Sequence, residues 1–173
     1  MPPEAGPEAS PARMRPALLL ALAILAADQA SKAWLIDWLA GRGGFVEVTG
    51  FFNLVMVWNR GISFGMLQSG ETGRWVLAAF AALVCVGLVY WLRRGHPRMT
   101  ALGIGAVLGG AVGNIVDRVV HGAVADFFDV HVLGYHWPAF NVADSAITLG
   151  VVAILIDGLR GPPSAAAAPS SRD

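Results

Sequence analysis

Four stretches of this chain are each apolar for about 20 residues, and nothing constrains its fold more. At 1.5 Å of rise per residue such a helix reaches about 30 Å, the hydrocarbon thickness of a bilayer. The runs fall at residues 16–38, 73–92, 99–120 and 139–159; the second has no charge after Arg74 and the third none before Asp117. In lipid every backbone polar group must be satisfied internally, so each run is predicted to be a helix. The composition agrees: 55% of residues are hydrophobic and only 14% charged, where a soluble domain has about one-quarter charged. A net charge of zero provides no basic field to recruit nucleic acid. The first run outlasts a signal peptide, carries Asp28 and Lys32, and is followed by three more runs, so it reads as a retained span.

Residues 1–15 and 161–173, rich in Pro and Ala, read as disordered cytoplasmic tails around one membrane domain, 16–160. Arg13, Arg15, Arg93, Arg94, Arg98, Arg160 and Arg172 fall on one side of the predicted spans, and Arg42, Arg60 and Arg74 on the other. The positive-inside rule then puts both termini in the cytoplasm and segments 39–72 and 121–138 outside. Trp34, Trp38, Trp58, Trp75 and Trp137 fall near that outer interface, as an aromatic belt does. Phe45-Val-Glu-Val and Phe51 to Trp58, split by Thr49-Gly50, read as short strands of a small sheet on the outer surface. The second outer segment, with Val124, Phe127, Phe128, Val130 and Val132, is expected to sit half-sunk in the interface. Gly105, Gly109 and Gly113, four apart, offer a smooth face for close helix packing.

Charges inside a bilayer are costly, and are usually functional or paired. Counting from Pro16, Asp28 lies about 18 Å and Lys32 about 24 Å up the first helix. Asp117 lies about 26 Å up the third helix from Thr100. Asn141 and Asp144 open the fourth helix, and the stretch from Asp144 to Asp157, about 18 Å, is too short to cross. Polar groups on three helices therefore converge on the outer third of the membrane, and Asp126 is near enough in sequence to join them.

Each of these residues also has a structural reading. Asp28 and Lys32, at i,i+4 spacing, suit mutual neutralisation. Asp117 beside Arg118 suits an ion pair. Asn141 and Asp144 have N-cap-to-N3 spacing, although capping leaves the surrounding carboxylates unexplained. Asp129 reads as a solvated loop acid. His121, His131 and His136 lack a metal-ligand motif, and no metal or cofactor is expected. Ser31 and Ser63 lack a histidine base or a nucleophile elbow. Cys85, the single cysteine, reads as a small buried hydrophobe. Spacing alone leaves open whether Asp117 or Asp126 partners Asp144.

Five strings occur in order: Asp28-Gln-Ala-Ser-Lys32; Asn59-Arg-Gly-Ile-Ser-Phe-Gly65; Gly109-Gly-Ala-Val-Gly-Asn-Ile-Val-Asp-Arg118; Val124-Ala-Asp-Phe127; and Phe140-Asn-Val-Ala-Asp144. Together, over residues 16–160, they resemble the bacterial lipoprotein signal peptidases (signal peptidase II). The resemblance implies an all-α membrane protein of four transmembrane helices with a small extracytoplasmic β-cradle. It implies an aspartic endopeptidase of the inner membrane, with Asp126 and Asp144 as the catalytic pair. Asp28, Lys32, Asn59, Gly61, Asn114, Asp117, Arg118 and Asn141 match the supporting polar set. The implied substrates are prolipoproteins carrying diacylglycerol on a cysteine, cut just before it; the implied partners are these signal peptides and membrane lipids, with the enzyme a monomer. Two rivals are a small ion- or proton-coupled carrier and a non-catalytic assembly factor. Carboxylates gathered at one face, with no relay across the membrane and no inverted repeat, argue against the carrier.

Overall fold

The computed structural model describes residues 11–61 and 70–160. The expected tails 1–10 and 161–173, Ser63, and residues 62–65 of the Asn59 string lie outside the described residues. The elements run α1 (Pro11–Ala40), β1 (Phe45–Thr49), β2 (Phe52–Asn59), α2 (Gly70–Leu92), α3 (Arg98–Val120), β3 (Val124–Val132), β4 (Tyr135–His136) and α4 (Val142–Leu159). All four helices are long and apolar enough to span a membrane. α1 starts five residues earlier than expected, so residues 11–15 are helix and not tail. Arg13, Met14 and Arg15 are strong helix formers, and the Arg13 guanidinium donates to the carbonyl of His96 at 2.9 Å.

α3 is the axis of the bundle: 67% of its span is buried, against 17% for each of the other three. Its glycines make this possible. A Cβ at Gly105 or Gly109 would strike the backbone oxygen of Ala17 or Ala21 on α1. Gly103 and Gly110 do the same toward α4, against the carbonyls of Gly150 and Ala143. The expected smooth face thus receives α1, and a second glycine face, which the four-residue spacing did not reveal, receives α4. Large apolar side chains such as Leu19, Phe80, Leu83 and Leu155 point away from the bundle, as lipid-facing residues do. At the end opposite the sheet, Asp157 of α4 accepts hydrogen bonds from the backbone N–H (3.1 Å) and hydroxyl of Thr100. It thereby caps the start of α3, whose own N-cap residue Pro97 offers no side-chain cap.

The sheet is antiparallel with order β1-β2-β3-β4. The segment expected to be half-sunk in the interface is therefore strand β3, paired with β2 through Val57–Asp126 and Asn59–Val124. Its first four residues are all buried, which removes the polar–apolar alternation that would have marked a strand. β3 turns into β4 through Leu133 and Gly134, both at positive φ, as a two-residue hairpin turn requires. Phe127 packs with Leu35 and Leu39 of α1 in one buried cluster, joined by Val142 at the start of α4. That cluster seats the sheet on the helix ends and fixes where Asp126 lies.

Candidate active site

Two polar groups meet where the sheet sits on the bundle. The first is a charged knot. Lys32 Nζ lies 2.8 Å from Asp28 Oδ2 and 2.8 Å from Asp117 Oδ2, and donates to Asn114 Oδ1 at 3.1 Å. Gln29 Nε2 donates to Asp117 Oδ1 and Asp28 Oδ2 at 3.0 and 3.1 Å. Asp28, Lys32 and Asp117 are at most 3% exposed; buried charges persist when paired and fully hydrogen-bonded. The i,i+4 pairing of Asp28 and Lys32 is therefore present, with Asp117 added to it. The expected Asp117–Arg118 ion pair gives way, because Lys32 reaches Asp117 from α1, while Arg118 donates to the carbonyl of Asn114 at 3.2 Å.

The carboxylates of the knot also hold backbone. Asp28 Oδ1 accepts the N–H of Ala143 at 2.9 Å, and Asp117 Oδ2 that of Ala125 at 3.1 Å. These two alanines immediately precede Asp144 and Asp126. The knot thus fixes the chain one residue before each member of a second carboxylate pair.

That second pair is organised by Asn141. Its Nδ2 donates to Asp126 Oδ1 at 2.7 Å and its backbone N–H to Asp144 Oδ2 at 3.3 Å. Its Oδ1 accepts the N–H of Asp144 at 2.9 Å, completing the capping box that the spacing suggested. One residue therefore caps α4 and tethers both carboxylates. Asn114 Nδ2 donates to Asp144 Oδ1 at 2.8 Å; the Lys32 contact on its oxygen settles which way this amide points. Asn59 Nδ2 donates to Asp126 Oδ2 at 3.0 Å, while its own oxygen accepts the N–H of Gly61 at 3.1 Å.

The two carboxylates differ in access. Asp126 is 1% exposed. Asp144 is half-buried and lines a cleft of about 690 Å³, with Asn59, Gly61, Arg118, Trp137 and Phe140 among its other walls. Burial first, and then the neighbouring charge of Asp144, raise the Asp126 pKa to about 7, against the opposing hydrogen bonds of Asn59 and Asn141 and the charge of Lys32. A carboxyl with that pKa holds its proton up to neutrality.

Every residue of the predicted polar set lies in these two groups or on the cleft wall. Gln29, which bridges the knot carboxylates, was missed; its only sequence signal is its place beside Asp28 on the buried stripe. Asp129 is corrected from solvated to buried, at 6% exposure. It faces Asn53 across the β2–β3 register, accepts from Asn53 Nδ2 at 2.8 Å, and lies 2.8 Å from His136 Nδ1. Burial alone would raise its pKa, but Asn53 and His136 hold it below the ordinary carboxylate value. His131 stacks on His136, whereas His121 packs on Trp58.

The fold and site define a four-span membrane protein with a carboxylate pair beside a cleft. The chain belongs to the signal peptidase II family: the family profile Peptidase_A8, Signal peptidase (SPase) II, matches residues 20–160. It is similar to the lipoprotein signal peptidase of Rhodopseudomonas palustris (strain TIE-1), with 45% identity over 87% of this chain and 96% of that protein. It is also similar to that of Methylorubrum extorquens (strain PA1), with 43% identity over 87% and 90%. A solved bacterial membrane enzyme structure, obtained by the in meso method at 2.3 Å resolution, superposes with a TM-score of 0.73 at 29% identity, covering 89% of this chain and 93% of that one.

Proposed function

We propose that this chain is an intramembrane aspartic endopeptidase that removes signal peptides from diacylglyceryl-modified prolipoproteins, cutting just before the lipidated cysteine. The observation that carries the reading is Asn141 tethering both the buried Asp126 and Asp144, which lines the cleft. The names of the relatives support the substrate class. The arginine asymmetry supports an inner-membrane protein with both termini cytoplasmic, a single membrane domain over 16–160, and a site near the periplasmic face.

The chemistry follows from the asymmetry of the pair. Two carboxylates that share a site do not readily both ionise. Asp126, the more buried, keeps the shared proton; Asp144, open to the cleft, is the ionised member. Asp144 takes a proton from water as the water oxygen attacks the scissile carbonyl. Asp126 gives its proton to the carbonyl oxygen, which forms a tetrahedral diol with no covalent enzyme adduct. The C–N bond then breaks as the proton on Asp144 passes to the leaving nitrogen and a diol hydroxyl returns its proton to Asp126, which restores the pair. These protonation steps belong to the pair as a unit. Arg118 on the cleft wall is placed to stabilise charge on the diol oxygens. An extended substrate backbone needs hydrogen-bond partners at this depth, and Asn59 on the cleft wall is placed to supply one.

The test is incubation of the purified protein with a diacylglyceryl-modified prolipoprotein and an unmodified control. Cleavage of the modified protein alone, unaffected by chelator and lost in Asp126→Asn and Asp144→Asn, supports the reading. Equal cleavage of the unmodified control, or normal processing by either variant, overturns it.

A further inference from the structure

A second concavity, of about 600 Å³, lies between α1, α2 and α3. Leu22 and Leu25 of α1, Val89 of α2 and Leu108 of α3 line it, and Tyr90 and Arg93 stand at one end. It occupies the α1 turns before Asp28, away from the cleft, and the mechanism above makes no use of it. Its walls are aliphatic and its mouth is cationic. The nearby helix ends carry Arg13, Arg15, Arg93, Arg94, Arg98 and Arg160. Among the described residues of those ends the one carboxylate is Asp157, already engaged by Thr100. Arg13 is spent on the His96 carbonyl and Arg94 on the Tyr90 hydroxyl. The guanidinium of Arg93, on the groove itself, has no protein partner among the described residues.

An apolar channel ending in an unpaired cation at the level where headgroups lie has one complementary occupant: an acyl chain joined to a phosphate-bearing, net-negative headgroup. We propose that this groove is a binding site for an anionic glycerophospholipid of the leaflet on the arginine-rich side, with one acyl chain between α1 and α2 and the phosphate on Arg93. Basic pockets between transmembrane helices on the cytoplasmic side take such headgroups, and each basic side chain near the surface favours them by about fivefold. This inference stands independently of the peptidase reading, since it uses neither aspartate of the pair.

Native mass spectrometry of the full chain, in mild detergent with an equimolar mixture of phosphatidylglycerol and phosphatidylcholine of matched chains, tests it. The expected result is one retained phosphatidylglycerol, preferred several-fold over phosphatidylcholine and not displaced by glycerol phosphate. Arg93→Gln should reduce the preference by about fivefold. Arg98→Gln, at the same end but off the groove, should leave it unchanged. Leu22→Trp, which fills the groove from its lipid-exposed edge, should lose retention of both lipids, with folding checked by melting temperature. Equal retention of the two lipids by the unsubstituted chain, or equal effects of Arg93→Gln and Arg98→Gln, would overturn the site in favour of diffuse annular attraction. Full retention in Leu22→Trp would overturn the acyl seat.

Discussion

The knot and the pair each contain two carboxylates at the same end of the bundle, yet they are built to opposite purposes. Asp28 and Asp117 share a lysine at 2.8 Å, and each also accepts a backbone N–H. Among the described residues, Asp126 and Asp144 have no cation at that distance; they are held by the amides of Asn59, Asn114 and Asn141. A paired ammonium pins a carboxylate in its charged form, whereas neutral amides fix its position and leave its proton free to move. On the proposed reading, the difference in partners separates the acids that act as scaffold from the acids that act as reagents.

The comparison breaks most sharply at the pair. Asp126→Asn and Asp144→Asn should each lower cleavage by about 10³-fold or more, with melting temperatures little changed; retention of activity within tenfold by either variant would dissolve the distinction. Lys32→Met should do the reverse, leaving Asp28 and Asp117 buried and unpaired. A loss of roughly 3–5 kcal/mol is expected, read from chemical denaturation in detergent, and a milder loss would mean that the knot is not the scaffold described. Gly110→Ala forces the α3 backbone away from Ala143, the residue the knot uses to seat Asp144. It should cost about 1–3 kcal/mol and reduce cleavage together with stability.

The smallest effects are in pH. Between about pH 4 and pH 7 the folded chain keeps a proton on Asp126 that the unfolded chain has released. Its contribution to stability is therefore fully present below pH ~4 and is lost as pH rises through about 7. In the proposed mechanism the same proton serves the reaction, so cleavage should also fall as pH rises past about 7. Asn59→Ala removes a hydrogen bond that favours the ionised form, so the alkaline limb of its pH–rate profile should move to higher pH. A shift to lower pH would show that Asp126 is not the proton-holding member.

The helices were legible because the length of apolar sequence and the thickness of hydrocarbon leave one solution. The gathering of Asp28, Lys32, Asp117 and Asp144 toward one end of the bundle followed from the same helical rise. The choice between Asp117 and Asp126 as the neighbour of Asp144 was not legible from spacing. It is made by the cross-strand register that sets Asp126 opposite Val57 and by the lysine that claims Asp117 from another helix. Asp129 was misread for a related reason: its partners Asn53 and His136 arrive on different strands. Local pattern reports what a residue's own element does, and says little about which side chains other elements deliver.

Asp157 of α4 caps α3 at one end, and Asn114 of α3 grips Asp144 of α4 at the other. The two helices are thus riveted at both ends, with glycine-to-backbone contact between. Separation of α3 from α4 is then a poor way to widen the cleft, and the rim around Trp137 and Pro138, outside that seam, is the better one. A designed inhibitor would find the α4 wall an anvil, and would gain selectivity by shaping the part of it that presses on that rim.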